Sequence, residues 1–151
     1  MITAWRLVSQ ERASGAFDGE GSFRYGNRWN HPGTRVVYLA ATTSLAALEL
    51  LVHAGSPDHL TPYQAFRTTF PKDLVTDLAS RPADWRLSPA PNSTKGAGSH
   101  WAASGVSAVL RVPSVIVPWE CNYVVAVDHP DFSRIEIHEP LPFQFDRRIE
   151  P

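Results

Sequence analysis

Residues 24–51, RYGNRWNHPGTRVVYLAATTSLAALELL, lay out a turn, a strand and a helix in immediate succession, with Arg28, Tyr38 and Glu49 distributed among them. His31-Pro32-Gly33-Thr34 has proline and glycine where a type II turn needs them, so a strand is predicted from Arg35 to Ala40 with Tyr38 inside it. Ser44 reads as the N-cap of the helix that follows. Leu45, Leu48, Glu49 and Val52 form an i, i+3, i+4, i+7 stripe, and Ala47, Leu50, Leu51 and Ala54 form an apolar stripe opposite. A helix apolar on both sides is expected to be buried, and Glu49, the only charge between Ser44 and Val52, is expected to leave water with it. An unpaired buried carboxylate is too costly to be incidental.

Outward from this segment the chain reads as short strands separated by turns, with one or two helices and no internal repeat. Thr3 to Ser9 is predicted to be a strand with Trp5 and Leu7 on one face and Arg6 on the other. Gln10 to Asn27 is polar, carries glycines, and reads as a long loop of the kind that is often functional. Beyond the Glu49 helix, which should end near Gly55, a strand is predicted over Tyr63 to Phe70, then a Pro71-Lys72-Asp73 turn and a short Leu74 to Leu78 segment. Arg86 to His100 is rich in proline, glycine and serine and reads as a mobile loop leading into a weak helix around Trp101, stopped at Gly105. Whether its portion 89–99 closes over a substrate is left open. Ser107 to Val112, Val115 to Val117 and Cys121 to Val127 make a β-rich block in which Pro113 and Pro118 mark edges or bulges. Alternation in RIEIHE and PFQFDRR predicts a last strand and an exposed arm. The whole, 1–151, is expected to be a single α+β domain: a small antiparallel β core with flanking helices.

Composition narrows the function classes. At 151 residues with 43% hydrophobic and 19% charged residues, the chain has the size and makeup of a globular domain with a real core. A net charge of −1 lacks the basic excess of a protein that neutralises phosphates, which argues against direct nucleic-acid binding. The single cysteine, Cys121, excludes an internal disulfide framework and is compatible with a reducing compartment. No apolar run approaches the roughly 18 residues of a membrane span, and MITAWRLVSQERA lacks a signal-peptide core, so a cytoplasmic location is expected. The six histidines show no metal-ligand spacing, and no metal is expected. Ser114 has no G-x-S-x-G elbow, and Gly15 to Gly21 lacks the strand and helix of a Rossmann fingerprint.

The strings GNRWNHPGTRVVYLA, SLAALELLVH, SAVLRVPSVIVPWECNYVV and EPLPFQFDRR closely resemble the RES domain, named for an arginine, a glutamate and a serine, over nearly the whole chain. RES proteins are toxins of toxin–antitoxin pairs, neutralised by a partner carrying an Xre-type helix-turn-helix. Characterised members consume NAD, and their fold is similar to that of ADP-ribosyltransferases. The resemblance implies Arg28, Tyr38, Glu49 and Ser114 as the site, with Arg6 and Asn122 as weaker additions, and NAD as substrate with no cofactor. A homodimer or a hetero-oligomer with the antitoxin is left open. One departure stands out: Asn27 replaces a second glycine before the arginine, and asparagine tolerates positive φ better than most residues.

Residue chemistry fits this implication. Cleaving the nicotinamide–ribose bond makes the sugar carbon cation-like, and a fixed carboxylate, Glu49, would stabilise it. A guanidinium offers paired donors to a pyrophosphate, first Arg28 and second Arg6. Tyr38 would wall the nicotinamide ring, and Ser114 would bond its amide or the adjoining ribose. Each residue also has a plainer reading. Arg28 could stack on Trp29 as a surface cation–π pair, Tyr38 could be core, and Ser114 between prolines could be a turn residue. Glu49 could pair with Arg28 or Arg6, and His53, a turn away, could be an ordinary helix-end residue or could orient the carboxylate. The acceptor of the ADP-ribosyl group, whether water, phosphate or a protein side chain, is open. A second reading makes the chain a co-repressor that works through its antitoxin, with Leu141, Phe143 and Phe145 as an exposed anchor unless they close the core. A ribonuclease is the weakest reading, with no histidine pair or basic stripe behind it.

Overall fold

The computed structural model describes residues 1–54 and 61–149. In chain order it comprises β1 (Ile2–Ser9), a 3-10 turn (Gln10–Gly15), α1 (Glu20–Tyr25), β2 (Val36–Ala40), α2 (Thr43–Ala54) and β3 (Tyr63–Phe70). There follow β4 (Val75–Asp77), α3 (Asn92–Ser104), β5 (Val109–Pro113), β6 (Cys121–Ala126), β7 (Glu136–Ile137) and β8 (Leu141–Phe143). The eight strands form one sheet in the order β4-β5-β6-β2-β1-β3-β7, with β8 also pairing β3. Every pairing is antiparallel except β4 with β5, so the α+β class holds.

The sheet has a narrow waist. β1 and β3 pair from Ile2 opposite Phe70 to Ser9 opposite Tyr63, and β2 pairs β6 along its whole length, but β1 meets β2 only at Trp5 opposite Ala40. Past that pair, the Arg6 guanidinium donates to the carbonyls of Tyr38 and Ala16. One face of the sheet is closed by a core that includes Ala4, Val37, Leu39, Phe70, Leu74, Tyr123 and Val125. On the other face α2 sets Leu45 and Ala46 against Leu7, Ala40 and Ala65, and α3 sets Trp101 against Val36, Leu110, Val112 and Val124.

Several local expectations are corrected. The cap of α2 is Thr42, whose Oγ1 accepts from Leu45 N at 3.1 Å, and Ser44 is already inside the helix and exposed. Nor is α2 buried all round: Leu48 is 41% and Val52 66% exposed, because the sheet covers only the Leu45 and Ala46 side. The predicted stop near Gly55 falls outside the described residues. Gln10 to Asn27 is not one loop, since it holds the 3-10 turn and α1. Val115 to Val117 bends instead of forming a strand, because Ser114 Oγ accepts from the main-chain N–H groups of Ile116 and Val117. Helix α3 takes in 92–100, most of the expected mobile loop. The aromatic tail closes the core: Phe145 is 3% exposed and meets Tyr63 and Phe143 edge to face, leaving only Leu141 of the expected anchor exposed.

Other expectations hold in detail. The strand over Tyr63 to Phe70 has those bounds, Thr34 N bonds the His31 carbonyl across a turn with Gly33 at φ +95°, and α3 ends at Gly105 in the left-handed region. β4 stops opposite Arg111, which leaves Pro113 at an edge where its missing N–H is tolerated.

Candidate active site

Glu49 projects from the second turn of α2 toward the start of β6 and the end of β5. Its Oε1 accepts from Ser114 Oγ at 2.9 Å and from Asn122 Nδ2 at 2.8 Å. Among the described residues no arginine pairs with it, so the core ion pair that rivalled a functional reading is absent. No donor among them reaches Oε2. Glu49 is half-buried, less enclosed than its helix pattern suggested.

Ser114 is fully buried, and its hydroxyl is saturated: the hydrogen goes to Glu49, and the lone pairs take the N–H groups of Ile116 and Val117. It therefore holds the carboxylate and the 114–117 bend together, with no capacity left for a ligand. Asn122 works beside it. Its Nδ2 serves Glu49, while Oδ1 is buried with no partner among the described residues.

Arg28 sits at the tip of a tight turn closed by reciprocal main-chain bonds between Asn27 and Asn30. Asn27 does not use positive φ. Gly26 does, at φ +70°, and Asn27 instead accepts the Arg28 N–H on its Oδ1 at 2.8 Å, which is how the turn survives without a second glycine. Trp29 is buried, and the surface stacking considered for the pair gives way to a different anchorage: Arg28 Nη1 donates to the carbonyls of Trp85 at 3.0 Å and Leu87 at 2.8 Å. Burial lowers the Arg28 pKa, while the charge of Glu49, close enough to be felt, opposes that shift. The two charges form no ion pair, and the Nε and Nη2 side of Arg28 carries no acceptor among the described residues.

Tyr38 fixes that turn from below. Its hydroxyl accepts from Trp29 N at 3.0 Å and donates to Asn30 Oδ1 at 2.7 Å, and burial pushes its pKa up. Asn30, fully buried, donates in turn to the carbonyls of Ser22, His31 and Thr34. This hub was not picked out from the sequence, where a lone asparagine beside a proline turn looks like a surface residue. Gly98 was missed as well: a Cβ there would lie 1.7 Å from the Trp29 carbonyl oxygen, so only glycine lets α3 reach the Arg28 turn. The GAG run at 96–98 was its only trace.

Arg6 stands apart. The register puts Trp5, Ala40 and Asn122 on one face, so Arg6 lies on the other and holds main chain across the waist. Burial draws its pKa down to about 10, which leaves it charged at neutral pH. His53 is exposed at the end of α2 and makes no bond to Glu49. A cleft of about 810 Å³, lined by residues that include Thr42, Arg81, Arg111 and Trp119, lies outside this constellation: Arg28, Tyr38, Glu49 and Ser114 do not line it.

The fold and this trio of arginine, glutamate and serine define a class. A model of the RES domain matches residues 3–146, and the chain belongs to the RES domain family. Toxin Res of Yersinia enterocolitica is 35% identical over 149 residues, covering 97% of this chain and 98% of that one. The Prs ADP-ribosylating toxin of a Sphingobium species is 33% identical over 152 residues, covering 96% and 94%. Among solved structures, the M. tuberculosis MbcT–MbcA toxin–antitoxin complex contains a chain with a TM-score of 0.75 at 19% identity, covering 94% of this chain and 84% of that one. That likeness is one of fold. No helix among the described residues is long and apolar enough to cross a membrane.

Proposed function

We propose that this chain is the toxin of a toxin–antitoxin pair and that it cleaves NAD at the nicotinamide–ribose bond. The observation that carries the reading is a carboxylate held at one oxygen by Ser114 and Asn122, with the charge of Arg28 near enough to interact with it and no ion pair between the two. As the bond breaks, its electron pair leaves with nicotinamide, which becomes a neutral pyridine, and positive charge develops on the ribose carbon. Glu49 stabilises that charge, and Arg28 takes the pyrophosphate. Water, inorganic phosphate or a protein side chain then completes the ribose carbon. Toxin names among relatives spanning nearly the whole chain, one of them an ADP-ribosylating toxin, support the reading. The partner we propose is an Xre-type antitoxin, and the site of action the cytoplasm.

Nicotinamide release from NAD by the purified chain tests this. Glu49→Gln keeps the shape and the donors' neighbour but removes the charge, and it should lower release by at least about 100-fold with the thermal melt unchanged. Full activity in that variant would sink the assignment. Running the digestion with and without phosphate, and analysing products, identifies the acceptor.

A further inference from the structure

The segment that holds Arg28 has a construction of its own. Trp85 N bonds the Pro82 carbonyl and Leu87 N bonds the Asp84 carbonyl, each at 3.0 Å, which coils 82–87 into consecutive turns. Three ties fix this coil to the body. The Trp85 ring packs on the cluster that contains Trp29, Trp101 and Val124. Ser93 Oγ donates to Asp84 across the start of α3. Arg86 Nη2 donates to the Val115 carbonyl at 3.2 Å, on the same bend that Ser114 organises. The carbonyls of Trp85 and Leu87 converge on a single nitrogen, Arg28 Nη1.

We propose that residues 82–87 are a positioning strap, which grips Arg28 by Nη1 and thereby presents its Nε–Nη2 edge to the pyrophosphate of a dinucleotide. A guanidinium binds a phosphate best through two parallel N–H donors, and Nε with Nη2 is such a pair. Free in solvent, the side chain would lose rotamer entropy on binding; gripped beforehand, it loses less. Because the strap also touches the 114–117 bend, it spans the space between the anion-binding arginine and the residues that hold Glu49. Trp85 is in this account a positioning residue: it touches Arg28 through its main chain and anchors the strap through its ring. The proposal rests on the NAD-cleaving reading above.

A double-mutant cycle tests it. Trp85→Ala should raise KM for NAD about 10-fold with kcat within about 3-fold, and Trp85→Phe should recover most of the loss. Ser93→Ala, which unhooks the strap without opening the core, should raise KM in the same direction, by about 3-fold. In an Arg28→Ala background, Trp85→Ala should add less than about 2-fold, since the strap acts through Arg28. Full additivity in that background, or an unchanged KM in both Trp85→Ala and Ser93→Ala, overturns the strap while leaving the reaction intact. A wild-type chain that neither binds nor cleaves NAD overturns the reaction and the strap with it.

Discussion

At the scale of single residues, the structure redistributes roles within the set Arg28, Tyr38, Glu49 and Ser114. Ser114 was expected to bond substrate, yet its donor and both acceptors are used within the protein. Its hydroxyl instead determines where one oxygen of Glu49 stands. Misplacing a catalytic group by about an ångström can cost around 100-fold, so Ser114→Ala should lower kcat by 10- to 100-fold, roughly, and leave KM for NAD within about 3-fold. A variant with normal kcat and a raised KM would return Ser114 to the substrate. Tyr38 shifts in the same sense. Its hydroxyl satisfies Trp29 N and Asn30 and so supports the Arg28 turn, a duty added to the role of nicotinamide wall expected of its ring.

Among elements, α3 shows why part of the site could not be read. Arg86 to His100 carries the proline, glycine and serine of a loop, and helix propensity is a weak prior that packing overrides. What decides the matter is Gly98, which lets the helix backbone meet the Trp29 carbonyl, and Ser99, whose Oγ accepts from His31 N at 2.9 Å. Neither signal has a sequence period. The strap was invisible for a related reason, because main-chain carbonyls of Trp85 and Leu87 carry no residue code. By contrast, the Pro32-Gly33 turn, β2, β3 and the Glu49 helix were legible, since their local chemistry and their tertiary contacts agree. Two glycines in one helix make the point testable. At Gly96 an added Cβ would meet nothing within 4 Å, so Gly96→Ala should stabilise by up to about 1 kcal/mol through helix propensity. Gly98→Ala should destabilise by about 1–3 kcal/mol or more and raise KM for NAD as the Arg28 turn moves. Thermal melts of both variants decide it: the same sign for the two would remove the close approach from the argument.

Across the whole molecule, the site depends on how two parts of one sheet are held together. Ser114 and Asn122 belong to the part formed by β4, β5, β6 and β2, whereas α2, which carries Glu49, also rests on Leu7 of β1 and Ala65 of β3. The parts meet at the Trp5–Ala40 pair, across the shared core, and through Arg6. Arg6 therefore has a structural duty that competes with the substrate-binding one expected of it. Removing it leaves the Ala16 and Tyr38 carbonyls without their donor and opens a void, a loss of about 2–4 kcal/mol. For a chain of this size each kcal/mol moves Tm by about 2–4 °C, so Arg6→Ala should melt roughly 5–15 °C lower. Measured well below that melt, KM for NAD should stay within about 2-fold, because Arg6 lies on the sheet face away from Asn122. A KM raised about 10-fold with an unchanged Tm would instead make Arg6 the second cation for the pyrophosphate, and would require the dinucleotide to reach through the waist of the sheet.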